Sequence, residues 1–184
     1  MSDPSSDPAA PTSGGATPLP TGHWTLDPDN SRAEFAVKHF WGLTTVRGHF
    51  NTLAGELSID SSGAAQGELR IDAASLDTGN ARRDKHLRSA DFFGADEHPQ
   101  VVFTPSAVRH ADDATLEIDG RLTVAGHEEP LTLRVDAVHA APELTLRATT
   151  IVDRRRFGMN WRPLAITNND ATLTVDASLR TAAG

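Results

Sequence analysis

Eight of the seventeen Lys and Arg residues fall in two short stretches. Arg82, Arg83, Lys85 and Arg88 lie in one; Arg154, Arg155, Arg156 and Arg162 lie in the other. Guanidinium groups match the geometry of phosphate and carboxylate. If both stretches meet at one opening, they form a cationic rim suited to an anionic head group. The same residues also read as a solvated helix face with surface pairs to Asp84, Asp91 and Asp153, which contribute little. His39 is the most pointed single residue. It shares parity with Ala33, Phe35 and Val37, so its ring faces the apolar side, and Phe40 and Trp41 follow it. Such a ring is either a hydrogen-bonded core histidine or a group that addresses a ligand's polar end.

Other chemistries have little support. The chain has eight His but no His-Glu-x-x-His and no His pair at strand or helix spacing, and it has no Cys. We therefore expect no protein-bound metal and no cofactor. His23, His110, His127 and His139 read as strand ends or turns, and His98 precedes Pro99 in a turn. Ser75 and Ser89 lack a Gly-x-Ser-x-Gly elbow. Asp84 and His86 are two apart on a predicted helix, and that spacing does not share a face. No Gly-x-x-x-x-Gly-Lys occurs, and Gly14-Gly15 lies in a polar leader. No catalytic residue is assigned.

The elements that must position these groups are strands. Leu116, Ile118, Leu122 and Val124 alternate with polar residues, as do Leu131, Leu133, Val135 and Ala137. Leu144, Leu146 and Ala148 repeat the pattern, and so do Leu173, Val175, Ala177 and Leu179. Four earlier strands run over 23–39, broken near Asp27-Pro28, then 43–60, 65–73 and 100–109. In 43–60 the phase slips near Asn51-Thr52, as a β-bulge would cause. About eight one-sided strands in a meander predict an all-β, antiparallel up-and-down barrel, because closure removes unpaired edges. A two-sheet sandwich is the alternative. Two long connections interrupt the pattern. Ala74 to Gln100 has helical content, with Thr78 or Asn80 as the start cap and Gly94 at the end. Arg154 to Asp170 is the other. Leu87, Phe92 and Phe93 in the first, and Phe157, Met159 and Trp161 in the second, predict packed segments.

Composition sets the outer bounds. The 184 residues suffice for one domain, and a net charge of −8 with 5% aromatics argues against nucleic-acid binding. No apolar run approaches the roughly 20 residues that span a bilayer. Residues 1–21 read as a disordered leader without a secretory signal, and 22–184 as the barrel. With Met1 as a native start the expectation is a cytoplasmic protein; a removed signal would place it in the periplasm or outside the cell. The charged strand faces do not decide the oligomeric state, and a homodimer is compatible with them.

The ordered motifs resemble the YceI-like family, bacterial proteins with a lipocalin-like barrel. His23-Trp24-Thr25-Leu26-Asp27, then Ser31 to His39, resembles its start, and Val46-Arg47-Gly48-His49-Phe50 with Gly55 its second strand. Arg83-Asp84-Lys85-His86-Leu87-Arg88 with Asp91-Phe92-Phe93 resembles its central helix. His98-Pro99 to Phe103, Gly120-Arg121-Leu122-Thr123, and Arg154 with Phe157-Gly158-Met159 complete a likeness over about 22–181. The resemblance implies binding of long isoprenoid or other amphipathic lipids, as carrier or sequestering protein, without catalysis. By the same resemblance, Phe35, Val37, Phe50, Leu57, Phe92, Phe103, Leu122, Phe157 and Met159 are cavity candidates. His39, Arg83, Asp84, His86 and Arg154 are candidates for the polar end. The chain departs from the family pattern at Asp153, where Asn is usual, and near Arg156, where an acid is usual. The competing readings are an enzyme acting on a lipid pyrophosphate or ester, with His39 or His86 as general base, and a ligand-free interaction or stress-response module.

Overall fold

Apolar and polar residues alternate along most of the chain, and the structure turns that alternation into an inside and an outside. The computed structural model describes residues 19–39, 43–112, 114–160 and 167–181. Its strands are β1 (Gly22–Leu26), β2 (Arg32–His39), β3 (Thr44–Phe50), β4 (Leu53–Ile59), β5 (Ala65–Asp72) and β6 (Leu76–Asp77). They continue with β7 (Gln100–His110), β8 (Thr115–Val124), β9 (His127–Ala140), β10 (Glu143–Asp153) and β11 (Thr167–Thr181). One helix, α1 (Ala81–Arg88), lies between β6 and β7.

The eleven segments fill eight positions of a closed antiparallel barrel. The ring runs β1-β4-β5-β7-β8-β9-β10-β11 and closes where Trp24 pairs with both Leu57 and Thr181. Segments β2, β3 and β6 continue β1, β4 and β5 past short breaks. Asp27-Pro28 makes the first break, since proline has no N–H for the ladder. The buried Ser31 spans that break: its hydroxyl donates to the Asp27 carbonyl at 2.7 Å and accepts from Ser178 N at 3.0 Å. Asn51-Thr52 makes the second break and a 3-10 turn at Ala73–Ser75 the third. Ser75 Oγ joins these two, accepting from Asn51 N and Thr52 N, both at 3.1 Å.

The inward phase of the strands is mainly apolar. Trp24 is 2% exposed and its indole N–H donates to the Pro20 carbonyl at 3.1 Å. Leu76, Leu144 and Val135 are also fully enclosed. Phe35 lies directly opposite Gly48, and a Cβ on Gly48 would fall 2.5 Å from the ring. The missing side chain is thus the space the ring occupies. A solid sandwich core is not what results, because a cavity fills part of the interior, as described below.

Both long connections emerge at one end of the barrel, together with the β2–β3 and β8–β9 turns. Of the two expected start caps the structure uses one, and two expected boundaries shift. Asn80 caps α1, accepting from Arg83 N at 3.1 Å, whereas Thr78 lies outside the helix. The helix ends at Arg88 with Ser89 as its cap; Gly94, with φ of 55°, closes the turn beyond it. The second connection is shorter than Arg154–Asp170, because β11 begins at Thr167 and Asp170 pairs with Asp153. Leu19 packs against the core, inside the stretch expected as leader; residues 1–18 lie outside the described chain.

Candidate ligand cavity

Several residues in the inward phase are only half-buried. Leu131, Leu133, Leu146, Leu173 and Val175 share strand faces with the buried Val135, Leu144, Ala148, Ala177 and Leu179. Their exposure is to internal space. A cavity of about 690 Å³ opens at the end that carries the two long connections. A second chamber of about 130 Å³ lies deeper, lined by Leu57, Phe103, Leu131, Leu133 and Leu146. Leu173 and Val175 line both and form their common wall.

Seven of the nine apolar candidates line the larger chamber: Phe35, Val37, Phe50, Phe92, Leu122, Phe157 and Met159. Leu57 and Phe103 line the deeper one. Sequence reasoning missed Phe93, whose ring sits 6.3 Å from Phe35 and 5.7 Å from Phe50 and completes an aromatic wall. It also missed Val46, Leu173 and Val175, although each lies in the inward phase of its strand.

At the mouth, α1 presents Asn80, Arg82, Arg83, His86 and Leu87 to the cavity. Arg83 is fixed there: Nε donates to Thr78 Oγ1 at 2.7 Å and Nη2 to the Thr78 carbonyl at 2.8 Å. His86 Nε2 lies 3.1 Å from Asp91 Oδ2, and its ring meets Phe92 edge-on at 5.2 Å. Arg154 reaches the cavity from the other side; it is 5% exposed and donates from Nε to the Asn168 carbonyl at 3.2 Å. Three of the five polar-end candidates thus meet at one opening.

Asp84 does not join them. It is buried at 6% exposure and points away from the cavity, accepting from Thr78 N at 3.0 Å and Thr78 Oγ1 at 2.5 Å. It fastens the helix to the end of β6, a local carboxylate–backbone bond that spacing alone does not reveal. The backbone of His39 ends β2, but its side chain lies outside the described residues, as do Phe40, Trp41, Trp161 and Arg162.

Much of the expected cationic rim is neutralised in place. Asp153 caps the turn after β10 and takes two hydrogen bonds from Arg155 Nε, at 2.9 and 3.0 Å. Those bonds hold its carboxyl at about 2, well below the ordinary carboxylate value. Arg156 pairs with Glu129 of β9. The acid absent from the neighbourhood of Arg156 in sequence is therefore supplied across the barrel rim. His98 packs its ring on Gly126 and His127 packs on Gly158, so these two histidines tie the mouth turns together. Among the described residues, no three His, Asp or Glu side chains are placed to hold a metal ion.

A YceI-like domain model matches residues 24–179. The chain belongs to the YceI-like family. A UPF0312 protein of Vibrio vulnificus is 35% identical over 111 residues, 59% of this chain and 58% of that protein, so the match spans under two thirds of that relative. A UPF0312 protein of Vibrio cholerae is 33% identical over 133 residues, 68% of this chain and 70% of the relative. Among solved structures, BcnA of Burkholderia cenocepacia superposes with a TM-score of 0.75 at 22% identity, covering 83% of this chain and 98% of that one. A polyisoprenoid binding domain from Saccharophagus degradans, implicated in plant cell wall breakdown, gives 0.72 at 15% identity, covering 86% and 98%. At these identities the two structures establish the barrel alone.

Proposed function

We propose that this YceI-like barrel binds a long-chain isoprenoid or similar amphipathic lipid and carries or sequesters it. The observation that bears most weight is the apolar chamber of about 690 Å³ with Arg82, Arg83, His86 and Arg154 gathered at its opening. That volume lies within the roughly 300–1,000 Å³ of small-molecule sites. The ligand class of the Saccharophagus domain supports the isoprenoid assignment. In this reading the tail enters past Phe92 and Phe93, and the polar end stays with the guanidinium groups.

Magnitudes favour a tail-driven complex. Each buried CH₂ contributes about 0.8 kcal/mol, so a ten-carbon tail gives about 8 kcal/mol gross. Association costs at least about 4 kcal/mol of that. The mouth cations then set head-group preference more than total affinity. From Ala171 to Leu179, the inward positions of β11 that line the two chambers span about 27 Å of strand, or about 20 Å along the axis at a barrel tilt of roughly 40°. A tail longer than the first chamber would have to pass Leu173 and Val175. Solvent extraction of the purified protein followed by mass spectrometry, with titration of a fluorescent prenyl analogue, tests the proposal. A co-purified lipid and saturable uptake are expected; the absence of both would overturn it.

A further inference from the structure

The cations of this acidic protein are not used evenly. Arg70, Arg109, Arg121, Arg134, Arg147, Arg155, Arg156 and Arg180 all pair with carboxylates. Among the described residues, Lys38, Arg47, Arg82 and Lys85 carry no hydrogen bond or ion pair through their side chains. Arg32 shares that state but sits at the far end of β2, opposite Asp176. The other four gather on one side of the mouth. Lys38 lies opposite Thr45, and Arg47 opposite Ala36, so the two are diagonal neighbours on the outer face of β2 and β3. Arg82 and Lys85 are exposed on α1, which lies over the same rim. On β2 and β6 the acids Glu34 and Asp77 stand one row further from the mouth, level with His49, and Asp91, just beyond α1, is engaged by His86 at 3.1 Å. Asp84, the one acid in α1, is buried on Thr78.

The same rim carries an apolar side chain with no cover. Leu43, immediately before β3, is 84% exposed. A protruding leucine flanked by unpaired cations is the composition that lies in a bilayer interface, with the apolar group below the head groups and the charges among them.

We propose that the β2–β3–α1 side of the mouth docks on an anionic lipid surface, with Leu43 inserted and Lys38, Arg47, Arg82 and Lys85 against the head groups. This rests on the lipid-binding reading, and it explains how a largely apolar chamber loads: the opening is held against the layer that contains the guest. The net charge of −8 does not prevent it. Charges farther from the surface than a Debye length, about 8 Å at physiological salt, are screened, so the near face decides. Each basic residue near an anionic bilayer contributes roughly fivefold in partitioning.

Co-sedimentation of the full chain with vesicles tests this, using phosphatidylcholine alone and phosphatidylcholine mixed with phosphatidylglycerol. Binding to the mixed vesicles only, weakened by salt, is expected. The combined variant Lys38→Glu, Arg47→Glu, Lys85→Glu should lose at least about a hundredfold of that binding, and Leu43→Ser should lose several-fold. Both variants should keep the wild-type melting temperature and take up a soluble prenyl analogue normally when no vesicles are present. Equal binding to neutral vesicles, or sedimentation unaffected by the triple reversal, would overturn the docking surface. Binding to polyglutamate in place of vesicles would overturn it too and assign the face to an acidic protein partner. Normal analogue uptake without vesicle binding rejects the docking alone; reversal-sensitive vesicle binding without analogue uptake supports the docking and rejects the cavity ligand.

Discussion

Asp84 shows how a motif residue can be structural. Its carboxylate receives the Thr78 N–H and hydroxyl and leaves Thr78 oriented to accept from Arg83 Nε. Asp84→Ala would leave the Thr78 N–H without its acceptor and release α1 from β6. A loss of roughly 2–3 kcal/mol is expected, read as a lower urea midpoint with an unchanged slope. If Asp84 instead addressed a ligand, Asp84→Asn would lower analogue affinity while stability stayed intact, and that pattern would refute the anchoring role. Gly48 makes the complementary case. A methyl there would meet Phe35 Cζ at 2.5 Å and Thr78 Cγ2 at 2.8 Å, so Gly48→Ala should cost roughly 1–3 kcal/mol by overpacking. Phe35→Leu in the same chain should recover part of that loss, and a double-mutant cycle of unfolding free energies measures the coupling.

Between elements, the turn from β10 into the second connection depends on one carboxylate. The folded-state value of Asp153 is about 2 against an ordinary 3.8, chiefly through the hydrogen bonds from Arg155. A lowered value means stabilisation that is complete above the unfolded value and disappears as pH falls through the folded one. Wild-type stability should therefore decline between about pH 4 and pH 2. Asp153→Asn should be less stable than wild type near neutrality and flatter through that window, as followed by urea melts at successive pH values; parallel curves for the two proteins would show that the pair contributes nothing. The strands themselves were legible in sequence, because a one-sided strand must alternate: the breaks at Asp27-Pro28 and Asn51-Thr52 both appear where the sequence places them, the second as a bend that separates β3 from β4 and not as the expected β-bulge within one strand. The neutralisation of the rim was not legible. Arg156 and Glu129 lie 27 residues apart and meet only because β9 and the turn after β10 share the mouth. Likewise Asp84 reads as a surface acid until the loop that carries Thr78 is folded back on it.

At the scale of the molecule, the period-2 pattern that predicts a barrel would serve a filled barrel equally well, so the hollow depends on side-chain volumes at matched heights. Gly48, Gly55 and Gly120 lie in the inward phase, and at Gly48 and Gly120 the space is taken by the rings of Phe35 and Phe103. What remains is two chambers that meet at Leu173 and Val175. The empty protein forgoes dispersion contacts along that wall, so a guest that fills it should stabilise the whole barrel by linkage. At a free ligand concentration of a hundred times Kd the gain is about 2.7 kcal/mol, and a chain of this size shifts by roughly 2–4 °C per kcal/mol. Delipidated protein should thus melt about 5–11 °C below the saturated form. Leu173→Trp places an indole at the junction of the chambers. It should leave the shift from a short prenyl analogue nearly intact and suppress the additional shift from a long one, as calorimetry with both would measure. An equal loss for short and long analogues would mean that Leu173 lines a single undivided site, and an unchanged shift for both would place the tail elsewhere.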